Sequence, residues 1–305
     1  VIVREETLVL PTYPPAPPDP NPMFLDKRAN QGSSGRVYPN PITDRITGER
    51  IDTPYRAVIL ENEYIEVTLL PEIGGRIFAA RDKTNGYDFL YRQSVIKPAL
   101  IGLLGPWISG GIEFNFPLHH RPSTYMPVDY TIESQPDGSQ TVWLSEHEPM
   151  TRMKGMVGVC LYPDKAYLEA KVRLYNRTPQ VQTFLWWANV AVHVNDEYQV
   201  IFPPDVAVVN DHAKRSMLRF PIAEGQYGFY FGHNFGEGTD VSWYKNFPLP
   251  GSCFVNHTEY DFFGGYDHAK RAGIIYIGNH HVSTGKKFFS WGTSDFAQAW
   301  ERKLT

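Results

Sequence analysis

The sequence is poor in the residues that announce the commoner chemistries. Its 305 residues hold two cysteines, Cys160 and Cys253, too few for a disulfide framework and too far apart for metal-ligand spacing. Both are expected to be buried thiols. No apolar run approaches the roughly 18–20 residues of a membrane span, and the first residues lack a signal-peptide core. A cytoplasmic protein with no membrane partner is therefore expected. The formal net charge is −4, acids and bases are interspersed, and no basic stripe alternates with aromatics, so nucleic acid is not an expected partner. No GxSxG elbow and no HExxH pair occurs. Gly74-Gly75 is not followed by a helical pattern, which removes the phosphate-loop reading. His119-His120 and His280-His281 are adjacent pairs whose side chains point to opposite faces of a strand, so neither pair chelates by itself. No metal and no cofactor is expected.

What the chain does contain is aromatic residues, at 14%, together with 25 Gly and 25 Pro. Abundant Tyr, Phe and Trp with frequent turn formers suit antiparallel sheets joined by many loops. A chain of this length buries roughly 75% of the surface its unfolded form exposes, so its core needs no staples. Residues 1 to about 55 read as an arm. Its prolines from Pro11 to Pro22 oppose ladder bonding, and Leu8, Leu10, Tyr13, Met23 and Phe24 anchor it along the domain. Strands are expected at Ala57–Leu60, Tyr64–Leu70, Val128–Ile132, Thr141–Leu144, Tyr167–Leu174, over Gly264–Val282 with Ile274–Ile277 as its apolar run, and around Phe288-Phe289. Pro136-Asp137-Gly138 and Lys83–Gly86 mark turns. In Tyr167–Leu174 the residues Leu168, Ala170, Val172 and Leu174 are expected inward. Asp211–Leu218 reads as a short helical turn and Asp295–Arg302 as a short helix.

Two stretches carry chemistry. Leu100–Thr124 reads LIGLLGPWISGGIEFNFPLHHRPST. From Gly111 it alternates, with Glu113, Asn115 and His119 on one side and Ile112, Phe114, Phe116 and Leu118 on the other. Val181–Asn195 has the same design. Phe184, Trp186, Ala188, Val190, Val192 and Val194 face one way, while Thr183, Trp187, Asn189, His193 and Asn195 face the other. A strand buried on one side ordinarily offers charges to water on the other. A face of Trp, Asn and His without charge suits a ligand, and equally suits burial beneath an arm or loop. Tyr and Trp rings stack on the apolar face of a sugar ring.

The order of elements resembles the galactose-mutarotase-like superfamily. Gly74-Gly75-Arg76-Ile77 followed by Asp82–Gly86 resembles the opening strand pair of aldose epimerases. More closely, GPWISGGIEFNFPLHHRPST, NRTPQVQTFLWWANVAVHV and GKKFFSWG resemble an uncharacterised mutarotase-like domain family that often precedes tetratricopeptide repeats in bacterial proteins. The resemblance implies an all-β, antiparallel β-supersandwich over residues 56–305, with the Pro-rich arm (1–55) packed on it. It implies a sugar or oligosaccharide as ligand, acted on at the anomeric carbon by epimerisation or glycoside cleavage. His193, His119 and Glu113 would carry the catalysis, and Asn115, His120, Trp187, Asn189 and Arg76 would bind the substrate. In such proteins a general-base glutamate lies on a strand near the C-terminal end, and the matching stretch would follow Thr305. The domain is therefore expected to be truncated there and to mutarotate little. The alternative is a non-catalytic carbohydrate-binding or protein-interaction module, with the chain's own C-terminal repeats as partner.

Overall fold

The computed structural model describes residues 1–20, 23–24, 37–100, 105–117, 120–121, 123–211, 216–227 and 233–304. The described chain is almost wholly antiparallel β-structure in two compact units, Val1–Val192 and His193–Lys303. No helix among the described residues is long and apolar enough to cross a membrane.

The first unit begins with β1 (Ile2–Thr12), paired along its whole length with β2 (Ile51–Glu61) from Ile2↔Glu61 to Thr12↔Ile51. This corrects the expectation of an arm without ladder bonds. The prolines are concentrated from Pro11 onward, so the residues before them keep their N–H donors, and Pro11 is tolerated on an edge strand. Beyond Thr12 isolated bridges hold the segment, Pro15 to Ile46 and Asp19 to Ile42. β3 (Ile65–Leu70), β4 (Arg76–Asp82), β5 (Ile112–Asn115), β6 (Asp129–Ser134), β7 (Gln140–His147), β8 (Met153–Leu161), β9 (Leu168–Asn176) and β10 (Trp187–Val190) follow. They form a six-stranded sheet ordered β1-β2-β3-β4-β5-β10 and a four-stranded sheet ordered β6-β7-β8-β9.

Parity along β2 sorts the core. Tyr55, Ala57 and Ile59 join Leu70, Ile73, Phe78, Ile96 and Ile108 on one face, where Leu8, Leu10 and Tyr125 also pack. Val58 and Leu60 point to the other face, and both are fully buried. Each such side chain contributes roughly 1.5–3 kcal/mol by leaving water. Because both faces of the six-stranded sheet are covered, polar side chains of its inner strands become buried too. β9 forms as expected, but its burial does not. Ala170 is exposed and Val172 is 36% exposed, because β9 is the outer strand of its sheet.

In the second unit β11 (Tyr198–Ile201), β15 (Phe262–Asp267) and β16 (Ala272–Ile277) make one sheet. β12 (Val208–Asn210), β13 (Met217–Arg219), β14 (Gly251–Val255) and β17 (Lys286–Ser290) make another, ordered β13-β12-β14-β17. Their core joins Phe202, Val206, Val209, Leu218, Phe235, Phe247, Cys253 and Val255. Of the helical turn expected over Asp211–Leu218, residues 212–215 lie outside the described residues, and Met217 and Leu218 are strand. The closing helix is present as α1 (Asp295–Leu304). Both cysteines are free and buried.

Candidate functional site

The site in the first unit is built on β5. Gly111, at φ +64°, lets the strand enter against β4, since a Cβ there would lie 1.9 Å from the carbonyl oxygen of Ile77. Ile77↔Ile112 then sets the register, and β10 pairs on the other side through Asn189↔Glu113 and Trp187↔Asn115. The strand ends at Asn115, before the cis Phe116–Pro117 peptide.

All four β5 residues are buried, and Glu113 is 3% exposed. Its carboxylate accepts four hydrogen bonds. Trp107 Nε1 (3.1 Å) and Thr124 Oγ1 (2.5 Å) donate to Oε1. His120 Nδ1 (2.8 Å) and Asn189 Nδ2 (3.3 Å) donate to Oε2. Burial by itself pushes this carboxyl up. The hydrogen bond and charge of His120, the charge of Arg76 and the hydroxyl of Thr124 together outweigh it and hold Glu113 well below the usual carboxylate range. An ionised carboxylate has no proton to give, so His120 Nδ1 carries the shared hydrogen and Nε2 is the ring's other functional atom. The His120 ring lies edge-on between two tryptophans, 5.3 Å from Trp107 and 5.0 Å from Trp187.

Arg76 lies under this arrangement, 2% exposed. Its Nη1 donates to the carbonyl oxygens of Ile108 (2.9 Å) and Gly110 (3.0 Å). Nε and Nη2, the two nitrogens on one edge of the guanidinium, have no hydrogen-bond partner. Burial pulls its pKa down to about 10, against the opposing charge of Glu113 and with a further push from Arg121. Tyr125 lies close enough for its charge state to matter to Arg76. Burial and its hydrogen bond with Tyr55 raise the phenol, and Tyr55 in turn shares a 3.0 Å hydrogen bond with Thr12 of β1. The loop that delivers His120 and Thr124 is fastened by Arg121, which donates to Phe114 O (2.8 Å), Ser123 Oγ (3.1 Å), Glu146 and Gly74 O.

Of the residues singled out in the sequence, the structure brings Glu113, His120, Trp187, Asn189 and Arg76 together. Asn115 is next along the strand. Its Oδ1 accepts from Arg121 N (3.0 Å), while its buried Nδ2 has no partner. His119 lies outside the described residues, and His193 belongs to the second unit. The strand expected over Val181–Asn195 is short, Trp187–Val190, and Phe184 and Leu185 ahead of it are exposed. At the start of that strand the two tryptophans part: Trp187 meets His120, whereas Trp186, just ahead of it, lines a hollow between the two sheets with Phe114, Phe116 and Leu144. Sequence reasoning missed Trp107, Thr124 and Tyr125. Trp107 and Thr124 stand in the Leu100–Thr124 stretch, and a buried carboxylate's need for donors is the signal that points to them.

Fold and site together define an all-β antiparallel protein with a buried carboxylate–imidazole pair framed by tryptophans. By its match over residues 33–305, the chain belongs to the family described as Domain of unknown function (DUF5107). Among solved structures it is similar to a TPR-domain containing protein from Parabacteroides distasonis ATCC 8503, at 22% identity and a TM-score of 0.83. That match covers 100% of this chain and 48% of the other, so this chain spans about half its length. It is also similar to the Slr1438 protein from Synechocystis sp. PCC 6803, at 12% identity and a TM-score of 0.50, covering 72% of this chain and 75% of that one. At these identities the likeness is one of fold.

Proposed function

We propose that the first unit is a carbohydrate-recognising, mutarotase-like domain that binds a sugar against Trp107, Trp187, His120, Asn189 and Arg76. The observation that carries this reading is the His120 ring, tied by Nδ1 to a buried carboxylate and flanked edge-on by two indoles. Indole faces suit the apolar face of a pyranose. If the domain acts at the anomeric carbon, His120 Nε2 is the proton-transferring atom and Glu113 the group that orients it. The four acceptor positions of Glu113 are filled, which leaves none for substrate. The acid roles assigned to His119 and His193 are separate proposals, each tested by its own substitution.

Ligand-observed NMR with a panel of monosaccharides and oligosaccharides tests the binding claim. Trp187→Ala and His120→Gln are each expected to weaken binding about tenfold or more, since a base or sugar stacked on an aromatic is worth roughly 1–3 kcal/mol. Unchanged binding in both variants would refute the site. Polarimetry of glucose and galactose then decides the chemistry, where loss of one acid–base group costs on the order of 10²–10⁴ in rate. The second reading is a non-catalytic module that packs on tetratricopeptide repeats. It is favoured by the name of the Parabacteroides protein and the half of that chain which this one does not cover. Sugar-independent association with a purified repeat segment would select it.

A further inference from the structure

The strand with the cleanest alternation in the sequence, β9, lies on the outside of its sheet. It pairs with β8 from Leu161↔Leu168 to Met153↔Asn176 without a register shift, and among the described residues no strand pairs with its other edge. Every second residue of β9 therefore turns its N–H and C=O away from the sheet. Outer strands are ordinarily blunted by proline, a bulge or a covering segment. β1, the outer strand of the neighbouring sheet, carries Pro11, whereas β9 has neither a proline nor a bulge. Its apolar side is also unfinished. Val157, Val159 and Leu161 of β8 are buried, but the same row on β9 leaves Ala170 exposed and Val172 36% exposed. The other side of β9 carries Glu169, Lys171 and Arg173, each held by an aromatic neighbour. Glu169 accepts from the Tyr162 hydroxyl, Lys171 Nζ lies 5.7 Å from the Tyr162 ring centre, and the Arg173 guanidinium lies 4.4 Å from that of Trp143.

We propose that β9 pairs antiparallel with β9 of a second copy of the chain, about a two-fold axis at Ala170. In such a self-paired strand the residue on the axis fixes every other partner, and opposite residues share a face. With Ala170 on the axis, Glu169 faces Lys171 twice and Leu168 faces Val172 twice. With Glu169 or Lys171 on the axis, that charge faces its own copy. With Val172 there, Lys171 faces Arg173. Opposite charges across a strand pair stabilise it and like charges destabilise it. The charge pattern of β9 is thus complementary to itself in the Ala170 register and repulsive in the neighbouring ones. In that register two four-stranded sheets join into one, the apolar row runs across the junction, and the outward backbone groups gain partners. The surface belongs to the first unit alone, and the inference does not depend on the sugar reading.

A single strand pair is a small interface, so association should be weak and should rise with concentration. Sedimentation equilibrium of the intact protein from about 1 to 200 µM is expected to show a monomer–dimer equilibrium. Glu169→Lys and Lys171→Glu should each weaken the dimer about tenfold or more, because each replaces two opposite pairs by two like ones. The double exchange restores opposite pairs and should return the affinity to within about threefold of the parent, a rescue that mere loss of packing would not give. Ala170→Cys checks the register. Opposite Cβ atoms on the axis lie about 4.5–5.5 Å apart, so diamide should link two copies through this residue. Val172→Cys faces Leu168 and should not link, and the native Cys160 and Cys253 are buried. A monomer at every concentration in the unaltered protein overturns the proposal, as does open-ended association. A dimer whose affinity ignores the charge exchanges overturns it equally.

Discussion

Removing the charge of Glu113 while keeping its shape, in Glu113→Gln, strikes the centre of the first unit. The carboxylate accepts from Trp107, Thr124, His120 and Asn189, and a glutamine offers one oxygen and an NH2 in its place. The NH2 then faces the donors of His120 and Asn189. Hydrogen bonds to a charged group are worth about 1.5–3 kcal/mol each, and they are not additive here because the donors share one acceptor. Arg76 meanwhile loses the opposite charge that supports its ionised form in a fully buried position. Breaking a buried charge pair from one side costs about 3–5 kcal/mol, and we take that as the expected loss, a large part of the roughly 5–15 kcal/mol that holds a domain folded. The pH dependence follows from the direction of the shift. The folded carboxyl binds its proton more weakly than the unfolded one, so its contribution is complete above the unfolded value of about 4.3. It is lost as pH falls from there through the folded value. Urea unfolding of both proteins at neutral pH and at stepwise lower pH measures this. The variant should be less stable near neutrality, and the two curves should converge on acidification. A difference under about 1 kcal/mol at neutral pH, or one independent of pH, would refute the assignment of Glu113 as the buried counter-charge.

Gly111→Ala should fail to give soluble folded protein, because its Cβ would meet the Ile77 carbonyl oxygen at 1.9 Å on a left-handed backbone. Gly48→Ala, with nothing within 4 Å, should express normally, and comparing soluble yields checks both. Lys286→Met should raise the melting temperature near neutral pH, since the desolvated amine binds a proton less tightly folded than unfolded. Between the lowered folded value and the ordinary value near ~10.4 the unfolded chain holds more protons, so native stability should rise with pH across that window in the parent and not in the variant. Thermal scans across pH read this out. Gly155→Ala should loosen the packing of Phe116, whose ring carbon lies 2.8 Å from the new methyl position. A drop in unfolding free energy of about 1–3 kcal/mol is expected.

The Pro136-Asp137-Gly138 hairpin between β6 and β7 was legible from its turn residues, whereas β1 was read as an arm because the prolines beyond it dominated the local signal. What alternation could not tell was how many layers cover a strand. β5 and β9 carry comparable patterns, yet β5 is buried on both faces and β9 is half open, because one is an inner strand and the other an outer one. The same blindness shaped the reading of the site. Alternation put Glu113 and Asn189 each on the non-apolar face of its own strand, and the register sets the two opposite each other. It could not show that the donors filling Glu113 come from Trp107 before the strand and His120 and Thr124 after it, since loops have no period. Adjacent histidines were expected to diverge across a strand, but His280 and His281 lie in a turn with ring centroids 3.9 Å apart, and His119 is outside the described residues. Glu113 takes His120 in the first unit and Asp261 takes His280 in the second, both through Nδ1 at 2.8 Å. A carboxylate bonded to Nδ1 fixes the orientation of the ring. The two carboxylates thus orient two rings in different surroundings, His120 beside Trp107 and Trp187 and His280 beside His281.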